Sequence, residues 1–143
     1  MNSTDDANLA TVRAIYDALF GGDVMAVIAA MHDDAELEVH GPPAIPFVGR
    51  HKGRDELARF FGTVAEHVHR EPGDPVPAVH EYVVQGDKVV AIGVDRVTSR
   101  ATGSTYEAWW VHVFDLRAGK VARVREFFDT AAALEAFRPA ATA

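Results

Sequence analysis

Leu9, Val12, Ile15 and Leu19 recur at helical spacing with Tyr16 beside the stripe, and Gly21-Gly22 supplies the stop expected after a helix. Asp23 is placed to cap a second, shorter helix on which Val24, Val27, Ile28 and Met31 face one way before Asp33-Asp34 ends it. The two predict a helical hairpin. Residues 35–40 then alternate with period two, which predicts a short strand, and Gly41-Pro42-Pro43-Ala44-Ile45-Pro46 cannot remain in regular structure. Leu57, Phe60, Phe61, Val64 and Val68 mark the apolar face of a third helix, ended by Glu71-Pro72-Gly73-Asp74-Pro75.

The period changes after that point. Val76 to Val84, Lys88 to Thr98, Thr105 to Leu116 and Val121 to Phe128 read as four strands separated by short turns containing Gly86, Gly103 and Gly119. Turns this short join neighbours, so the strands form an antiparallel meander. Asp129 or Thr130 caps a brief last helix through Leu134 and Phe137, and residues 138–143 read as a frayed tail. Helices followed by a run of strands predict one α+β domain over residues 1–143, with three N-terminal helices packed on a curved, cone-shaped antiparallel sheet. The hollow between them is the natural place for a small, largely apolar ligand.

Strand parity indicates which polar groups face that hollow. Ala108, Trp110, His112 and Phe114 share one face, and Trp109, Val111, Val113 and Asp115 share the other. Because both faces are apolar, the outer one is expected to pack against a second copy of the chain. On the last strand Val124, Glu126 and Phe128 share a face, and on the strand 88–98 Ala91, Gly93, Asp95 and Val97 do. His112 and Glu126 lie symmetrically about Gly119, which makes them cross-strand neighbours if the turn pivots there. A carboxylic acid confined among apolar groups beside an imidazole is a matched pair for proton transfer near neutral pH. Glu126, His112, Asp95 and Tyr16 are therefore the candidate catalytic residues. Each also has a structural reading: an arginine ion pair for Glu126, a core or interface histidine for His112, pairing with Arg96 or Arg100 for Asp95, and a core aromatic for Tyr16. The expected cavity lining is Leu37, Val39, His40, Phe47, Phe60, Phe61, Val64, Trp110 and Phe128, with His40 overhanging the mouth.

Length and composition narrow the classes. The chain has 143 residues, 48% hydrophobic and 24% charged, which is the balance of a globular protein, and no apolar run is long enough to span a bilayer. No basic-then-apolar leader opens the chain, so a soluble, cytoplasmic protein is expected. The absence of cysteine removes disulfides, thiol nucleophiles and thiolate metal sites, and a net charge of -7 opposes nucleic acid. His32, His51, His67, His69 and His80 are scattered, no phosphate-binding loop occurs, and no nucleophile elbow is present, so no metal and no cofactor are expected.

The run Val12-Arg13-Ala14-Ile15-Tyr16-Asp17-Ala18-Leu19 leads through Gly22-Asp23 to Asp33-Asp34-Ala35. With Phe47-Val48-Gly49, Gly53-Arg54-Asp55-Glu56-Leu57, Gly119-Lys120-Val121 and Arg125-Glu126-Phe127-Phe128-Asp129, it resembles SnoaL-like proteins of the nuclear transport factor 2-like superfamily. The resemblance spans nearly the whole chain and marks fold more than activity. It implies a cone-shaped pocket used without metal, in a group that includes polyketide cyclases, ketosteroid isomerases, limonene-type epoxide hydrolases and non-catalytic members. By position, His112 and Glu126 look like the histidine and the acid of the cyclases, with Glu where those enzymes have Asp. The epoxide-hydrolase pattern matches at Asp95 and Glu126 but has Gly93 where its bridging arginine would stand. The isomerase pattern departs further, with Val39 at its base, Ile15 at its helix tyrosine and His112 at its protonated acid. A cofactor-independent cyclase or related isomerase acting by intramolecular aldol chemistry is the first expectation. Epoxide opening is the second, and a non-catalytic, ligand-binding dimeric module the third.

Overall fold

A computed structural model of the chain describes residues 2–71 and 78–139, so the expected strand start at Val76, the loop 72–75 and the tail residues 140–143 lie outside the described residues. Helix α1 (Ser3–Phe20) begins where the Asn2 side chain accepts the Asp5 N–H at 2.9 Å, and it stops at Gly21-Gly22, where Gly22 takes φ 79°. Helix α2 (Val24–Ala29) is capped by Asp23 as its sequence indicates. It is shorter than expected, because Met31 already belongs to β1 (Met31–Val39). The chain continues through β2 (Gly49–Lys52), α3 (Gly53–His67), β3 (Val68–His69), β4 (Ala78–Gln85), β5 (Lys88–Ser99), β6 (Thr105–Arg117), β7 (Lys120–Phe128) and α4 (Thr130–Phe137). Met31 and Val68 lie in strands rather than in the expected helices, yet both stay buried, Met31 in the main core and Val68 in a second apolar cluster.

The strands form one strongly curled half-barrel sheet in the order β2-β1-β7-β6-β5-β3, with β4 also pairing β5. The meander β4 to β7 is antiparallel, whereas β1 lies parallel to β7. Turn signals cannot reveal that pairing, because the two strands come from opposite ends of the sequence and no hairpin joins them. Strands β2 and β3 also escape the periodicity reading. They are short edge strands, held by backbone ladders to β1 and β5 rather than by an alternating pattern.

Helices α1 and α3 close the concave side through Val12, Ile15, Tyr16, Leu57 and Phe60, packed with Leu37, Ala91, Trp110, Phe114 and Val124 of the sheet. Helix α4 sets Ala133 and Ala136 against Ile45, Val97 and Tyr106 in a second cluster. Ile45 is 1% exposed, and burying such a side chain contributes about 1.5–3 kcal/mol, which anchors the proline loop over the sheet.

The β6–β7 hairpin fixes the register on which the site depends. Ala118 (φ 51°) and Gly119 (φ 78°) form a two-residue left-handed turn, so Arg117 pairs Lys120 and Leu116 pairs Val121. The turn thus pivots half a residue before the expected centre at Gly119. A register shift between Asp115 and Leu116 then admits one extra residue on β7, and beyond it His112 stands opposite Glu126.

On the convex side Trp109 and Phe127 are 53% and 42% exposed. Beside them Glu38 is buried, although it has the outward parity of Glu36 and His40. Its carboxylate accepts from Arg50 at 2.7 Å and from Arg123 at 3.0 and 3.1 Å, and His40 lies at 3.2 Å. These guanidinium hydrogen bonds hold its pKa down at about 2. A depressed folded-state pKa stabilises the fold above the unfolded carboxylate range and loses that contribution as pH falls through the folded value. Glu38→Gln should therefore lower the melting temperature by several degrees at pH 7, with the gap to the parent narrowing as pH falls from about 4.5 toward 2. Ala118→Asn, which suits a left-handed turn position better, should raise stability by about 0.5–1 kcal/mol in urea unfolding.

Candidate active site

The concave face and the helices enclose a cavity of about 510 Å3. Its lining is mostly apolar, including Leu37, Phe47, Phe60, Phe61, Val64, Trp110 and Phe128, as parity and helical spacing indicate. Two expected lining residues are elsewhere. Val39 has inward parity but is packed into the core and does not reach the cavity. His40 shares the outward parity of Glu36 and Glu38, so its ring stacks on Phe127 at 4.7 Å on the convex side instead of overhanging the mouth.

Three of the polar candidates meet in one hydrogen-bonded chain. Glu126 Oε1 lies 3.0 Å from His112 Nε2, and His112 Nδ1 lies 2.6 Å from the Tyr16 hydroxyl. The His112 and Glu126 side chains are 15% and 23% exposed, so neither projects into bulk solvent. Each comes from a different element: α1 presents Tyr16 from above, and β6 and β7 present the pair from the sheet. Burial pushes the Tyr16 pKa far up, helped by the nearby Tyr82 and Glu126, so the phenol keeps its proton and can donate it to Nδ1 wherever Nε2 carries the imidazole hydrogen. A neutral imidazole then carries its hydrogen on Nε2, where it donates to Glu126. The second carboxylate oxygen of Glu126 has no partner among the described residues and is free to take a proton from a bound molecule. The Trp110 ring stacks on His112 at 4.1 Å, and Tyr16 lies parallel to the imidazole at 5.8 Å, which locks its plane.

Asp95 also lines the cavity but stands apart from this chain. Both its oxygens accept from Arg70, at 3.0 Å from Nε and 2.6 Å from Nη2, in a bidentate pair. The bidentate side-chain partner is Arg70, the Arg96 backbone N–H also donates to the carboxylate, and β5 carries no register shift against β6 at this point. Burial raises the Asp95 pKa, with Arg70 opposing that rise. Arg70, Arg100, His69 and Tyr106 line the same region and are not among the expected site residues. Tyr106 was available from parity, since it continues the row of Ala108 and Trp110. The others sit where strands end and no period applies. Among the described residues no group of three or more His, Asp or Glu side chains is arranged to hold a metal ion.

Comparison with known proteins agrees with this architecture. Residues 12–124 match the SnoaL-like domain model. No protein of curated function matches the chain in sequence. Among solved structures, an NTF2-like protein from Burkholderia xenovorans is 28% identical, with 96% of this chain and 100% of that one covered and a TM-score of 0.81. TerC, co-crystallised with polyporic acid, is 29% identical over 92% of this chain and 98% of its own, with a TM-score of 0.80. A candidate polyketide cyclase from Xanthomonas campestris shares the fold at 22% identity and a TM-score of 0.76, covering 95% of this chain and 100% of that one.

The tautomer is open to direct measurement. A long-range proton–nitrogen NMR spectrum of His112 should place the hydrogen on Nε2, and Tyr16→Phe, by removing the donor to Nδ1, should yield a mixture of both tautomers.

Proposed function

Because the chain belongs to the SnoaL-like family, we propose that it is a cofactor-independent acid/base enzyme that closes a ring in a small, polyketide-type ketone by intramolecular aldol addition. The observation that carries this reading is the Tyr16–His112–Glu126 chain inside an otherwise apolar cavity. The free oxygen of Glu126 takes a proton from the carbon beside a ketone. That carbon then attacks a second carbonyl of the same molecule, a C–C bond forms, and the resulting alkoxide takes back the proton held by Glu126. Atoms balance with no oxidant, water or metal required. His112 keeps the carboxylate aimed through its Nε2–H, and Tyr16 keeps His112 in the tautomer that can do so. The cavity holds the folded substrate against Trp110 and Phe128, which supplies the orientation an internal reaction needs. The ligand of the TerC crystals, polyporic acid, supports a small organic molecule as the occupant.

The exposed Trp109 and Phe127 on the convex face support a homodimer formed through that face. Epoxide opening is the second reading, favoured by the presence of both Asp95 and Glu126 on the cavity wall. It ranks lower because Arg70 occupies both oxygens of Asp95, which makes that group a poor proton donor.

With a linear polyketone that the parent converts, Glu126→Gln should slow single-turnover cyclisation by about 10²–10⁴-fold while leaving the melting temperature nearly unchanged. Unchanged turnover in that variant would refute the mechanism. A larger loss for Asp95→Asn than for His112→Ala would transfer the assignment to epoxide chemistry.

A further inference from the structure

The strand register separates the polar groups of the cavity into two stations. His112 pairs Ala91 and Glu126, whereas Asp95 pairs Ala108, four residues along β6, which is about 13 Å at strand rise. Between them runs the rung of Trp110 and Phe128. The catalytic chain accounts for the first station only.

At the second station one guanidinium meets no carboxylate among the described residues. Arg70 and Asp95 neutralise each other through two hydrogen bonds. His69 Nε2 lies 2.9 Å from Glu71 Oε1, while its Nδ1 is buried with no partner. Arg100 gives its Nε–H to the Ala65 carbonyl at 2.9 Å, and its two terminal nitrogens meet no carboxylate among the described residues. The Tyr106 hydroxyl makes no hydrogen bond there either, and burial, reinforced by Asp95, keeps its proton on. The rim of an apolar cavity thus carries a guanidinium that meets no carboxylate among the described residues and an unspent phenolic donor. Arg100 is exposed at the cavity rim, and one guanidinium beside a phenolic donor suits a monoanion better than a phosphate.

We infer that Arg100, with Tyr106, forms an acid-recognition subsite that binds a carboxylate or comparably acidic enol at one end of the substrate, while the rest of that molecule lies along Trp110 and Phe128 toward Glu126. This assigns the substrate class of the proposed reaction: an aromatic or polyketone body ending in an acidic group. It rests on the acid/base reading for its direction but is testable without turnover. The bidentate Arg70 pair serves the subsite by holding Asp95, which would otherwise repel the incoming anion.

The test compares two rigid probes of equal shape, anthracene-2-carboxylate and anthracene-2-carboxamide, by fluorescence titration at pH 7. The parent protein should bind the carboxylate about tenfold or more tightly than the amide. Arg100→Gln should bring that ratio close to one with amide affinity kept, and Arg100→Lys should retain part of it. Glu126→Gln, which tests the chemistry, should keep the preference. Equal binding of the two probes by the parent, no saturable binding of the carboxylate, or a ratio untouched by Arg100→Gln would each overturn the subsite. If Glu126→Gln stays fully active while the preference still depends on Arg100, the acid/base mechanism fails and the subsite stands.

Discussion

The register of the β6–β7 hairpin is the constraint on which the rest of the site depends. A two-residue turn alone would place the strands one position out of step with the observed pairing at His112, and that slip would rotate inward side chains outward. The extra residue beyond Asp115 cancels the offset. From there the imidazole and the carboxylate sit side by side, and the ring of Trp110 can stack on the imidazole. Tyr16 completes the arrangement from a helix whose own position is set by the buried Val12 and Ile15.

The curled sheet does more than surround a ligand. Its concave face is apolar at Leu37, Trp110, Phe114, Val124 and Phe128, so the few polar groups it presents gain strength from the low dielectric around them. Its convex face treats charge differently. There Glu38 is enclosed by two arginines and a histidine, so its carboxylate is spent within the protein.

Much of this was legible in the sequence because it follows from period and punctuation. The stripes on α1 and α3, the caps at Asp23 and Asp129, and the parity of β5, β6 and β7 placed Tyr16, Asp95, His112 and Glu126 on one side before any coordinates. What escaped has a common cause. The parallel pairing of β1 with β7, the edge strands β2 and β3, and the arginines at strand ends depend on contacts between distant segments, and a local pattern carries no trace of those. His40 is an instructive exception. Its alternation with Glu36 and Glu38 points it away from the cavity, and the proline loop that follows does not turn it back.

The parallel seam between β1 and β7 bears on how the chain matures. A hairpin or a helix can form while synthesis is still under way, but this seam joins an early segment to one of the last strands made. Until β7 emerges, β1 has only its short partner β2 beside it, and the helical pair ahead of it has no finished wall to cover. Tyr16 and Glu126 are united by the same late event. The protein therefore assembles the Tyr16–His112–Glu126 chain in one closing step, and a ribosome-bound fragment that ends before β7 lacks one end of it.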